Sequence, residues 1–210
     1  MSYDLVIATT TCFKQYGHVK DGEYRKRLFD KYLESFGNSK AVSKKILVDL
    51  SEDDGIGWNQ NYLRLLARVK NLAPLCLIVD SDGYFDPSWE LWLYDAMERF
   101  PEAAGWCLYN SPRMKQYDGN DLGPDSFERK HVSPHGLCFR TEDYTAPAEG
   151  EWFENFIGEL PKKHSMGFVV PKVSLIQHCG AYGLNNVPGG SEDFDPNFPW
   201  NKECLDVIKV

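Results

Sequence analysis

Apolar and polar positions along the first hundred residues follow two alternating rhythms. Short unbroken apolar runs, Leu5-Val6-Ile7-Ala8, Ile46-Leu47-Val48 and Leu75-Cys76-Leu77-Ile78-Val79, read as strands. They close on polar residues: Thr9-Thr10-Thr11, Asp49 and Asp80 respectively. Between them, apolar residues recur at helical spacing. Tyr24, Leu28, Tyr32, Leu33 and Phe36 share one side of a helix over 22–36, and Tyr62, Leu65, Leu66 and Val69 form the stripe of a helix over 59–71. A third helix opens at Asp86-Pro87, an acidic cap with proline in the first turn, and puts Trp89, Leu93, Ala96, Met97 and Phe100 on one face. This alternation predicts an α/β fold with a Rossmann-like, mostly parallel sheet flanked by helices. Strands buried on both faces should be continuous apolar runs, as these are. The ligand crevice of such a sheet lies beyond the carboxyl ends of its strands, which singles out Thr9–Thr11, Asp49 and Asp80.

The second half has a different texture. Strands are expected at 105–109, 136–140 and 167–177, separated by a polar stretch over 110–134 and an aromatic helix over 151–160. Pro171 divides the last run into Phe168-Val169-Val170 and Val173-Ser174-Leu175-Ile176. Both pieces are expected to extend the same sheet in mixed orientation. The expectation is a single domain over 1–186, with halves at 1–104 and 105–186. A tail over 187–210, rich in Gly, Pro, Asp and Asn from 187 to 199, reads as a surface loop or lid.

Charge narrows the function classes. The formal charge of −8 argues against broad sequence-independent DNA binding and against an anionic-membrane anchor. Residues 1–48 nevertheless hold nine basic and five acidic side chains, which suits a phosphate site near the start of the chain or simply a solvated basic helix at 23–31. The longest aliphatic run, Leu75 to Val79, is far short of the ~20 residues of a membrane span. Six scattered cysteines include no C-x-x-C pair and read as reduced core thiols. With no secretory signal visible at the start, the expected location is cytoplasmic.

The sharpest chemical feature is Asp80-Ser81-Asp82. On an extended segment, residues i and i+2 point to the same side, so the two carboxylates can share one hard divalent cation and leave its other positions to phosphate oxygens and water. The D-x-D pattern occurs twice, and its second copy, Asp193-Phe194-Asp195, falls in the tail. Context raises the first: it follows a wholly apolar strand, sits at the crevice edge and precedes Gly83, which permits a close ligand approach. A turn-capping aspartate is the plain structural alternative.

The order of these motifs resembles the nucleotide-sugar-dependent glycosyltransferases of the GT-A fold, a family that includes small stand-alone bacteriophage enzymes. The resemblance runs over about residues 4–186 and continues through Phe85-Asp86-Pro87, His135-Gly136-Leu137-Cys138-Phe139-Arg140, Glu151-Trp152-Phe153-Glu154, Val170-Pro171 and Ser174-Leu175-Ile176-Gln177-His178. It implies transfer of a sugar, UDP-linked by preference, to an acceptor hydroxyl, with Mn²⁺ or Mg²⁺ as cofactor and inversion as the expected outcome. By this resemblance Asp82 is the main metal ligand, with Asp80 and His178 as further ligands, and Asp80 also contacts ribose or sugar. Thr9, Thr10, Thr11, Asp49, Asn61, Asp80 and Ser81 line the donor, while Asn59 and Asn61 lack the neighbouring Arg or Lys common in the family, a role left to Lys14 or Lys20. Glu151 is the first choice of general base and Glu154 the second. His135, Gly136 and Trp152 fall on the acceptor side. The acceptor is a glycan or, less in keeping with the net charge, a hydroxymethylated base in DNA. Arg113, Lys115, Arg129, Lys130 and His131 in 110–134 would favour an anionic acceptor if they formed one basic edge.

Two other readings fit parts of the chain. Asp80-Ser81-Asp82-Gly83 after an apolar strand matches the hallmark of haloacid-dehalogenase-like phosphatases, with Asp80 as nucleophile and Asp82 as acid. That motif normally sits on the first strand of the core, whereas two βα units precede it here. A protein that binds nucleotide-sugar without turning it over is the third reading.

Overall fold

The apolar runs form strands; burial explains the unbroken first and third, whereas Ile46-Leu47-Val48 is half-buried at the sheet edge. The structure is a computed structural model and describes residues 3–11, 22–39 and 46–178. Strand β1 (Leu5–Thr11) is buried along its whole length and pairs in parallel with β2 (Ile46–Glu52) on one side and β3 (Leu75–Asp80) on the other. Helices α1 (Gly22–Gly37) and α2 (Trp58–Val69) connect these strands. The apolar stripe of α2 is buried as its periodicity requires: Tyr62, Leu65, Leu66 and Val69 all face the sheet.

β3 turns through Ser81-Asp82 into a short strand β4 (Gly83–Phe85), which the sequence pattern did not announce. Asp86 then holds the Ser88 N–H and hydroxyl on Oδ1, at 2.7 and 2.5 Å, and α3 (Trp89–Arg99) begins a residue later. The acidic cap expected at Asp86-Pro87 is therefore a turn that precedes the helix.

The second half adds β5 (Ala103–Cys107), β6 (Asp118–Asp121), β7 (Ser126–Arg129), β8 (Leu137–Arg140) and β9 (Met166–Pro171), with a short helix α4 (Asn155–Glu159) before β9. The large sheet has the order β2-β1-β3-β8-β5-β9-β7-β6. β7 and β8 run against the other strands, so the sheet is mostly parallel with a mixed C-terminal part, as expected.

Three details differ from expectation. The polar stretch 110–134 contains a 3₁₀ turn (Pro112–Tyr117) and the β6–β7 hairpin that completes the sheet edge. The aromatic helix expected over 151–160 is confined to α4, because residues 149–154 form turns. The run after Pro171 does not join the large sheet. Val173 is exposed, and β10 (Ile176–His178) pairs antiparallel with β4 in a separate ribbon, His178 opposite Gly83. Cys76, Cys107 and Cys138 are buried free thiols, and burial pushes the Cys107 thiol up to about 12. Cys12, Cys179 and Cys204, Lys14 and Lys20, and the expected lid over 187–210 lie outside the described residues. Among the described residues, no helix is long and apolar enough to cross a membrane.

Candidate active site

The carboxyl ends of β1, β2 and β3 are level: Thr10 pairs with Asp80 on one side and with Ser51 on the other. Around Asp80 three elements converge. Tyr62 of α2 donates its hydroxyl to Asp80 Oδ1. His135, buried in the segment before β8, places Nδ1 3.3 Å from the backbone N–H of Asp80 and 3.4 Å from its Oδ2. The β4–β10 ribbon brings His178 Nε2 to 3.2 Å from Asp82 Oδ1. One ligand atom from each of Asp80, Asp82 and His178 lies within 4.8 Å of the others. A cation with bonds of about 2.1 Å needs only small side-chain shifts to draw such a set together.

The electrostatics point the same way. Burial alone would raise both carboxyls. For Asp82 it is outweighed by the charge and hydrogen bond of His178, with His135 and Arg25 adding to the effect, and the carboxyl is held well below the ordinary range. Asp80 is lowered too, since the hydrogen bond and charge of His135 and the charge of His178 together outweigh burial. Tyr62 is raised well above its usual value, first by burial and then by the Asp80 charge, so it remains a donor. His135 Nε2 is buried without a hydrogen-bond partner among the described residues, while Asp82 Oδ1 faces only the His178 imidazole.

A second group lies on the other side of Tyr62. Phe153 stacks on its ring at 4.3 Å between centroids, and Trp58 meets both edge-on. Asn59 fixes this loop to α2: its Oδ1 accepts the Phe153 N–H at 2.6 Å and its Nδ2 donates to the Glu151 carbonyl at 3.1 Å. Trp152, 61% exposed, extends the aromatic surface next to Trp58. Glu151 and Glu154 share the wall of a groove of about 710 Å³ whose other side includes residues 131–134. Glu151 is exposed, and its Oε2 accepts the Ala148 N–H at 3.0 Å. Glu154 is partly buried, and burial, then the Asp80 charge, raise its carboxyl.

Several residues expected at the donor or acceptor are placed elsewhere. Thr9 is wholly buried, its hydroxyl bonded to Tyr32 of α1 at 2.8 Å, and Thr11 is buried on the same face with its carbonyl accepting the Asp53 N–H. Thr10 alone of the three shares the face of Asp80, and its hydroxyl bonds Tyr62. Asp49 is not at a strand end, because β2 runs on to Glu52; its carboxylate is held by Arg68 at 2.6 and 2.8 Å. Asn61 is buried and spent on bracing β2, with Oδ1 accepting from Ser51 Oγ at 2.7 Å and Nδ2 donating to the Ser51 carbonyl at 2.9 Å. Ser81 is buried in the turn. His135 packs against Asp80 and does not line the groove beside Glu154. Gly136 is structural: its φ is +79°, its N–H donates to the Ile78 carbonyl, and a Cβ there would sit 3.0 Å from the Tyr109 nitrogen.

Tyr62, Arg25 and the positioning role of His135 were not evident in the sequence. A tyrosine on an apolar helix stripe is the one available signal, since its hydroxyl needs a partner when buried. Arg25 lies in the first turn of α1, at the crevice edge, with Nη1 buried and without a hydrogen-bond partner among the described residues.

Comparison with known proteins adds the fold. No protein-family model and no curated protein sequence matches the chain. Among solved structures it is similar to residues 1–349 of S. aureus TarS, with a TM-score of 0.50 and 12% identity over 82% of this chain and 59% of that one. The same TarS segment in complex with UDP-GlcNAc gives a TM-score of 0.50 and 13% identity, over 82% and 57% of the two chains. A longer TarS structure gives 0.51 and 12%, covering 98% of this chain and 39% of that one. The likeness is one of fold. It agrees with the GT-A-like architecture expected from the sequence. The chain spans well under two thirds of the length of these structures.

Proposed function

We propose that the protein is a nucleotide-sugar-dependent glycosyltransferase that takes a UDP-sugar and transfers the sugar to an acceptor hydroxyl. The observation that carries this reading is the convergence of Asp80, Asp82 and His178 at the carboxyl edge of the sheet, on a fold shared with a protein crystallised with UDP-GlcNAc. Asp82 and His178, already paired at 3.2 Å, would hold Mn²⁺ or Mg²⁺ together with Asp80. When bound, the cation neutralises negative charge on the departing diphosphate.

The remaining work falls to side chains of the protein. Tyr62 and His135 fix the orientation of Asp80. Arg25, a cation with an open donor near Asp82, supplies the phosphate contact for which α2 has no residue beside Asn59 and Asn61. Glu154 takes the proton of the acceptor hydroxyl as its oxygen attacks the anomeric carbon. The bond from that carbon to the diphosphate oxygen breaks, and UDP leaves with the electron pair. Glu154 suits this better than Glu151, because its carboxyl is raised by burial and by the Asp80 charge, whereas Glu151 closes a turn. An in-line attack of this kind inverts the anomeric centre. The phosphatase reading is disfavoured, since Tyr62 and His135 already occupy both oxygens of the would-be nucleophile.

The test is a thermal-shift panel of UDP-, GDP-, CMP- and dTDP-sugars with and without Mn²⁺, alongside an assay for released nucleotide. A UDP-sugar shift that requires Mn²⁺ and vanishes in Asp82→Ala is the expected result. No shift with any nucleotide would sink the reading, and a Mn²⁺-dependent shift without turnover on any acceptor would leave a binding protein.

A further inference from the structure

The groove beside Glu154 has a composition that speaks to the acceptor. Its apolar surface comes from residues such as Met114, Pro134 and Phe156, and its polar groups include Glu151, Glu154, Glu159 and His131. None of the described residues lining it is Lys or Arg. Among the residues whose side chains are described, those of 110–134 put no basic edge on this groove. Arg129 is 1% exposed and turned inward, its guanidinium bonded to Asp118 at 2.7 Å and to Asn110 at 3.0 Å. Lys115 and Lys130 are exposed but do not line the groove. Burial keeps His131 below its ordinary value, so it adds no positive charge near neutrality. Among the described residues, Lys162 pairs with the groove carboxylate Glu159 at 2.7 Å and offsets that acid.

A wall of this kind suits sugar rings. Apolar side chains cover their C–H faces, and carboxylates accept hydrogen bonds from their hydroxyls. A polyanion would meet uncompensated negative charge, and like-charge juxtaposition of that sort selects strongly against a partner. The volume lies within the ~300–1,000 Å³ typical of small-ligand sites.

We propose that this groove receives an uncharged glycan segment as acceptor and discriminates against phosphorylated or sulfated glycans and nucleic acid. The assignment rests on the transferase reading, but its test runs on a separate observable. Gly158 lines the groove, and a Cβ added there meets no atom within 4 Å, so a side chain can be introduced into the space. Glycine is also a poor helix former, so the substitution carries no propensity cost in α4.

Saturation-transfer NMR on the full chain with UDP and Mn²⁺ would compare N-acetylchitotetraose, maltotetraose and cellotetraose with chitosan tetramer, a heparin tetrasaccharide and a short single-stranded oligonucleotide. At least one neutral tetrasaccharide should bind, with both polyanions weaker by about tenfold or more at low salt. Gly158→Trp should abolish neutral-glycan transfer of saturation, with the UDP–Mn²⁺ thermal shift as the control for an intact fold. Gly158→Lys should narrow the gap to the heparin tetrasaccharide. Equal or tighter binding of a polyanion or of the cationic chitosan tetramer would overturn the assignment. So would absence of all neutral binding in protein that still binds UDP with Mn²⁺. Loss of the UDP response in the wild type would instead count against the donor site, with the glycan arm still deciding what the groove takes.

Discussion

Asp82 and Glu154 are two carboxyls whose environments push them in opposite directions. Asp82 stays ionised beside His178, His135 and Arg25, whereas Glu154 is raised by burial and by Asp80. Separation of this kind divides labour between a permanent anion and a group able to take up a proton. Glu154→Gln should therefore lower turnover by about a hundredfold or more, while Glu151→Gln leaves it near normal. A steady-state comparison of the two variants checks the assignment, and the reverse ranking would return the role to Glu151. The pH profile carries the same information with a definite sign. A base must be unprotonated to act, so with a raised carboxyl the rate should fall on the acid side at a pH above the ordinary carboxylate range. An acid limb near pH 4, the usual glutamate value, would exclude Glu154 as the group being titrated.

Among the secondary elements, the turn from β3 to β4 decides where the second carboxylate stands. Gly83 sits at its exit in a space that admits no side chain: a Cβ would fall 2.8 Å from Val79 Cγ1 and 3.1 Å from both His135 Cε1 and Ile176 Cδ1. Val79 is a fully buried strand residue and has nowhere to retreat. Gly83→Ala should cost about 1–3 kcal/mol in urea unfolding, typical of overpacking, and weaken Mn²⁺-dependent UDP binding because His135 and β10 must shift. Unchanged binding would detach this turn from the site. The elements also show what a one-dimensional reading can reach. The three apolar runs and the stripe of α2 were legible because burial of parallel strands and helix periodicity are local signals. Asp80 and Asp82 were legible because strand ends mark the crevice. The β4–β10 ribbon was not, since three-residue strands carry little pattern and their pairing spans some ninety residues of chain. Neither was the inward turn of Arg129 nor the diversion of Thr9, Asp49 and Asn61. Each depends on a partner brought by another element: Asp118, Tyr32, Arg68 and Ser51 respectively.

For the whole molecule, the same site adds to the pH dependence of folding. Asp80 and Asp82 have folded values below those of the unfolded chain. Their contribution to stability is therefore present above about pH 4 and is lost as pH falls through their lowered folded values. Urea midpoints taken from pH 7 down toward pH 2 should drop more steeply for the wild type than for Asp82→Asn; parallel curves would mean that Asp82 has no such linkage. The pairing of His178 with the strand that follows Asp82 has one more consequence. During synthesis the two aspartates emerge nearly a hundred residues ahead of their His178 neighbour, so the nascent N-terminal half carries the acids without the imidazole that steadies Asp82. On the proposed reading, capture of an ion would be tied to the last described strand falling into place, and a chain interrupted before Ile176 would have most of its sheet yet only two of the three ligand residues.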